Sequence, residues 1–182
     1  MVLRYATVVL AAAFLAIVVA LSVTAIKPER ADAVPTITRT TCDGETIALD
    51  PDENRIVHLQ NQARRSYGLE PLCVDPILTA AARGHSADMI ARNYFGHGLV
   101  GARLTSYGYN WLTYGENIAG GYGGYYSSGD HAIEMWMASP GHHANIMNPN
   151  FQEVGVGKAT GEYNGIANYT LYTVDFAAPA AY

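Results

Sequence analysis

Residues 6–26, ATVVLAAAFLAIVVALSVTAI, run for 21 residues without a charge, directly behind Arg4. A stretch of that length and polarity is long enough to cross the hydrocarbon core of a bilayer as a helix. It is long for the apolar region of a signal peptide, yet a small-residue cleavage pattern follows at Ala31-Asp32-Ala33, with a second at Val23-Thr24-Ala25. Residues 1–33 therefore read as an export signal, with a retained N-terminal membrane anchor as the alternative. In both cases everything after the leader folds outside the cytoplasm, secreted or tethered, and touches the membrane only through the N-terminal segment. What must fold is one domain with one core.

Of the 11 Lys and Arg residues, Arg4, Lys27 and Arg30 belong to the leader, as do Glu29 and Asp32 of the 16 acidic residues, leaving a net charge of −6 on the rest. Lys158 is the single lysine of that part. A mildly acidic surface excludes non-specific binding to nucleic acid or to anionic membranes, and a monomer is expected. Cys42 and Cys73 both lie in the exported part, and in an oxidising compartment the simplest outcome is one disulfide. Two unpaired buried thiols are the alternative.

Residues 34–49 read as a Thr-rich, extended arm held by that disulfide, and residues 50–182 as the domain proper. Ile56, Leu59, Ala63 and Tyr67 recur at helical spacing behind Pro51, and Gly68 ends the run. Asp75 and Pro76 open a second helix, expected to reach about Asn93. From Tyr94 the chain turns rich in Gly and Tyr, with a short helix expected near Ala102–Tyr107 and a flexible cleft-rimming loop over Gly120–Gly129. A third helix over about Asp130–Ala138 and a short one from Pro140 follow. EVGVGKAT and NYTLYTVDFA alternate apolar and polar residues across the turn-rich GEYNG. Helices first and an antiparallel hairpin last predict an α+β, three-layer sandwich.

The chain carries no HExxH, no GxSxG elbow, no phosphate-binding GxxxxGK[ST] loop and no paired-cysteine zinc knuckle. What remains is a set of polar residues beside glycines: His97 in YFGHG, Glu116 in YGENIAGG, and His142 with His143 in SPGHHANI. Two imidazoles and a carboxylate suffice for a weak divalent metal site with open positions or for a proton-shuttling pair. Histidines satisfied by loop carbonyls are the structural alternative. His85 reads as a buried helix histidine, His58 as solvated, and Asp88, His131, Trp111, Trp136 and Asn145 as capping, bracing or packing residues.

In order, GLEPLCVDPILTAAARGHSADMIARNYFGH, YGENIA, WMASPGHHANIMNPNFQEVGVG and YTVDFA resemble the bacterial branch of the CAP superfamily, the SCP domain of cysteine-rich secretory, venom antigen and pathogenesis-related proteins. The resemblance spans about Asn54 to Ala177. It implies an α-β-α sandwich with a central antiparallel sheet and a large cleft, carrying two histidines that bind zinc in several members, and two acidic residues. His97 matches the first histidine and Glu116 the acidic residue of GEN. The second histidine lies thirteen residues before the GVG segment, at His142. Neighbouring helical residues project about 100° apart, which sends His143 towards a rim. The second acidic residue of the family is replaced by Ser139, and Glu153 reads as structural.

Three functions follow as expectations. In the first, a binding module, a cleft lined by Tyr122, Tyr125 and Tyr126 takes a lipid, a sterol or a cell-envelope glycan. In the second, a hydrolase, His97 and His142 hold zinc or another divalent cation and Glu116 is the candidate catalytic base. The third is an inert surface-interaction domain. Non-enzymatic roles are favoured over catalysis.

Overall fold

A computed structural model describes residues 35–181. The expected leader, residues 1–33, lies outside the described residues. Among the described residues no helix is long and apolar enough to cross a membrane.

The arm is a hairpin of its own. Strands β1 (Ile37–Thr40) and β2 (Thr46–Leu49) pair antiparallel around a turn that places Gly44 in the left-handed region at φ 86°. Cys42, in that turn, is bonded to Cys73, with the two Cα atoms 5.3 Å apart. The staple thus ties the hairpin to β3 (Cys73–Val74).

Helix α1 (Pro51–Ser66) starts at a reciprocal cap: the Asp50 carboxylate accepts from the Asp52 amide, and Glu53 accepts from the Asp50 amide. Near its end Arg64, 1% exposed, donates to the carbonyls of Glu70, Ile146, Asn148 and Phe151. One guanidinium thus fixes the segment behind SPGHHANI to α1 and satisfies four acceptors. Helix α2 (Pro76–Ala91) is capped by Asp75, whose carboxylate accepts from the Leu78 amide. It ends two residues short of Asn93, which takes a left-handed φ of 54°. Helices α3 (Val100–Ser106), α4 (Gly129–Ala138) and α5 (Pro140–Ile146) fall near the segments expected from the sequence.

The larger departure is β4. Within the Gly- and Tyr-rich region, Trp111–Gly121 is an eleven-residue strand, and a 3-10 turn over Gly124–Ser127 follows it. With β5 (Glu153–Tyr163) and β6 (Ile166–Pro179) it forms a sheet in the order β3-β5-β6-β4. The three long strands pair antiparallel, and the two-residue β3 adds a parallel edge to β5. The link between β5 and β6 shrinks to Asn164-Gly165, both at positive φ (50° and 77°), the conformation that a two-residue hairpin turn demands.

The sheet is covered on both faces. Tyr172, Val174 and Phe176 of β6 join Val154 and Val156 of β5, Ile56 and Val57 of α1, and Ala132, Ile133 and Trp136 of α4 in one core. The alternate residues Leu171 and Ala177 face the other way, Ala177 packing with Leu78 and Ala81 of α2 and Leu104 of α3. Helix α2 lies so close to β5 that a Cβ at Gly155 would stand 2.0 Å from the Leu78 carbonyl carbon, and one at Gly157 2.1 Å from the Arg83 nitrogen. Helix, sheet and helix give the three-layer α+β sandwich.

Candidate functional site

The site is built around β4, the sheet's outer strand. Successive strand residues point to opposite faces, so Glu116 and Asn117 serve different layers. Glu116 faces the α2–α3 side, directly opposite Asp175 of β6 in the ladder. Its Oε1 accepts from His97 Nδ1 at 2.7 Å and its Oε2 accepts a very short hydrogen bond from Arg103 of α3. Arg103 also approaches Asp175 at 3.5 Å and donates to the His97 carbonyl at 3.1 Å. His85 of α2 lies 3.9 Å from Glu116 and contacts the Gly96 carbonyl at 3.0 Å. Two carboxylates, a guanidinium and two imidazoles are thereby packed together, with only His97 half-exposed.

Burial sets the electrostatics. Desolvation pushes Glu116 up to about 7, against the opposing pull of Arg103. Asp175, completely buried, is held well above the ordinary carboxylate range by burial and by the charge of Glu116. His85 falls to about 4, first from burial and then from Arg103. The cluster thus carries fewer charges than its composition suggests: one cation shared by carboxyls that resist ionising together.

Asn117, on the opposite face, reaches α5. Its Nδ2 donates to the His142 carbonyl at 3.0 Å, and Asn145 Nδ2 donates to its Oδ1 at 2.9 Å. The pair sets the helix that carries His142. Burial, and secondarily the charge of His97, lowers the pKa of His142. His143 turns away and meets Tyr67 edge-on at 6.2 Å.

A cavity of about 630 Å³ opens on the cluster through His85 and Arg103, and two more lie towards the end of β4. One, of about 270 Å³, is lined by Phe95, Ala119, Gly120, Trp136, Ser139 and His142. Ser139 sits between α4 and α5 rather than on a helix. The other, of about 600 Å³, is lined by Gly120, Gly121, Tyr122, Tyr126, His131 and Tyr169. Tyr122 and Tyr126 therefore share a cavity with Tyr169 and not with His142. Tyr125 stands on its flank, 5.3 Å from the ring of His131.

Sequence reasoning missed Arg103, Asp175 and the part played by His85. The signal for Asp175 is visible afterwards: an acidic residue inside the strand pattern YTVDFA, where alternation puts it on a buried face. Arg103 gave none, because its partners are known only once α3 is folded against β4.

As donors to a cation, these residues offer less than their number suggests. Both Glu116 oxygens are already engaged, which leaves the imidazoles of His97, beside the Arg103 guanidinium, and of His142. The one set of three ligand-type side chains among the described residues whose donor atoms all lie within 4.8 Å of one another is Cys42, Cys73 and Glu153, whose sulfurs are spent on the disulfide.

A three-layer sandwich whose outer strand presents Glu116 to a histidine on one side and Asn117 to a second histidine's helix on the other is the architecture of an SCP domain. Residues 57–176 match the CAP family, the cysteine-rich secretory protein family, and the chain belongs to it. YkwD of Bacillus subtilis strain 168 is 40% identical over 110 residues, covering 58% of this chain and 41% of its own length. The membrane protein YlbC of the same strain is 36% identical over 110 residues, covering 58% of this chain and 31% of its own. The chain spans less than half the length of these relatives. Among solved structures, an extracellular SCP-domain protein of Bacillus anthracis superposes with a TM-score of 0.59 at 29% identity, over 74% of this chain and 46% of that one. An outer surface protein of Borrelia burgdorferi shares the fold with a TM-score of 0.61 at 17% identity, over 80% of this chain and all of the other.

Proposed function

We propose that this chain is an extracytoplasmic, monomeric CAP domain of the cell envelope that binds a small, largely uncharged envelope molecule, a lipid, sterol or glycan, without catalysing its turnover. The observation that carries the reading is the pair of cavities that share Gly120, one lined by Tyr122, Tyr126 and Tyr169 and the other by Phe95, Ile118, Met135 and Trp136, the kind of concave, mostly apolar surface that small ligands select. The uncharged N-terminal run, the disulfide and the extracellular or surface description of the structural relatives support the location. The net charge of −6 on the exported part supports no nucleic-acid partner. Native mass spectrometry of the full chain in nanodiscs, after exposure to fractionated envelope lipids and glycan fragments, should show one small molecule per chain. If no class of molecule stays bound, the reading falls.

One observation favours a second reading, a metal-dependent hydrolase of peptide or cell-wall substrates. Glu116 accepts from His97 Nδ1 and thereby aims Nε2 outward, as carboxylates do behind metal-bound histidines. His97 and His142 would hold zinc or another divalent cation, which when bound would supply an acidified water. Glu116 would orient His97 rather than act as base, since both its oxygens are engaged. Calorimetric zinc titration of the full chain decides: stoichiometric binding lost in His97→Ala and in His142→Ala supports the reading, and a silent wild type removes it.

A further inference from the structure

Five aromatic rings and three glycines gather where β4 runs into the 3-10 turn. Tyr169 of β6 stacks on Tyr122 at 6.0 Å with 29° between planes and leans on Tyr163 at 4.9 Å. Tyr126 stands perpendicular to His131 at 5.1 Å. The platform is held in place: a Cβ at Gly121 would lie 1.8 Å from the Tyr126 carbonyl oxygen, and Tyr172 donates to the Ser127 carbonyl at 2.7 Å. Strand end and turn are thus in direct backbone contact, and the rings face a cavity already formed.

Two properties narrow what fits. The first is charge. None of the lining residues is Lys, Arg, Asp or Glu. On the α4 flank stand Asp130, paired with Arg55, and Glu134, hydrogen-bonded to the Tyr125 phenol. A carboxylate or phosphate headgroup finds no cation in the lining, and the Arg55 charge beside it is already paired with Asp130. The second is exposure. Tyr122 and Tyr126 remain 55% and 64% exposed although their rings border the cavity. An acyl chain or sterol gains its affinity by enclosure on all sides. A ring with one apolar C–H face and a hydroxylated rim needs only an aromatic surface beneath it, with phenols and water at its edge.

We infer that the Tyr122–Tyr126–Tyr169 platform is a subsite for the pyranose rings of a neutral glycan. This rests on the ligand-binding reading above and commits that reading to one ligand class at one end of the cleft. Stacking holds the sugar, and the half-exposed rings leave the chain of a longer glycan free to continue into solvent.

The test uses the full chain in nanodiscs and β-1,4-linked N-acetylglucosamine oligosaccharides of two to six units, with palmitate and cholesterol as parallel probes. Calorimetry should show saturable oligosaccharide binding, weakened at least tenfold in Tyr122→Ala and in Tyr126→Ala. Tyr122→Phe and Tyr126→Phe, which keep the ring face, should bind within about threefold of wild type. Saturation-transfer spectra should mark the C–H face of the sugar. Tyrosine-dependent binding of palmitate or cholesterol without oligosaccharide binding overturns the inference and leaves the ligand-binding reading standing. Oligosaccharide binding indifferent to the tyrosines overturns the subsite alone. Silence towards all three probes counts against both.

Discussion

Glu116 and His85 are buried 3.9 Å apart and shifted in opposite senses, so their effects on stability oppose each other. The folded chain holds the Glu116 proton more tightly than the unfolded chain, and its contribution is lost as pH rises from about 4.5 to about 7. Asp175, also raised, adds to that slope. His85 runs the other way: its neutral ring stabilises the fold above 6.5, and the contribution is lost as pH falls towards about 4. Between roughly pH 4.5 and 6.5 the His85 slope offsets only part of the two carboxyl slopes in the wild type. His85→Gln should therefore lose stability more steeply than wild type as pH rises through that window, and Glu116→Gln should lose it less steeply. Urea midpoints at half-unit pH steps check both signs. Profiles parallel to wild type in both variants would discard the account.

Among the elements, β5 is the most demanding. Val154 and Val156 fill one core while Gly155 and Gly157 leave room for the backbone of α2. Gly155→Ala and Gly157→Ala should each cost on the order of 3 kcal/mol, the upper end of overpacking because rigid backbone is what must move. The loss should appear as a lower denaturant midpoint. Substituting Gly165 should instead act through its left-handed turn. In EVGVG the alternation that marks a strand was plain, whereas the reason for glycine at every second place was not, since it lies in a helix about 75 residues upstream. The capped starts of α1 and α2 were legible for the opposite reason: Asp50-Pro51 and Asp75-Pro76 are local signals. Strand β4 was hidden because its glycines, inside a Gly- and Tyr-rich region, imitate loop composition, and its pairing with β6 is long-range. His97, Glu116 and His142 were found through resemblance to a family. Arg103 and Asp175 gain meaning only when α3 and β6 meet at Glu116.

At the scale of the whole molecule, the disulfide ties the β1–β2 hairpin to the sheet across a sequence separation of 31 residues. Thr41 bridges Val74, and the Cys42 amide donates to the Val74 carbonyl at 3.0 Å, so the hairpin keeps some attachment without the bond. Cys42→Ser with Cys73→Ser should lower stability by about 3 kcal/mol through the freed unfolded chain. The Glu116 cluster lies on other elements, and oligosaccharide or zinc titrations run below the melting range should be unchanged; altered binding there would show the hairpin to be coupled to the cleft. His97 lies between α2 and α3, and His142 sits on α5, whose Ile146 packs into the core on the other face of the sheet. A slip of one layer past the sheet would part the two rings while every bond inside each layer survived. Any molecule gripping both imidazoles would therefore behave as a rivet, and the force it resists would be shear.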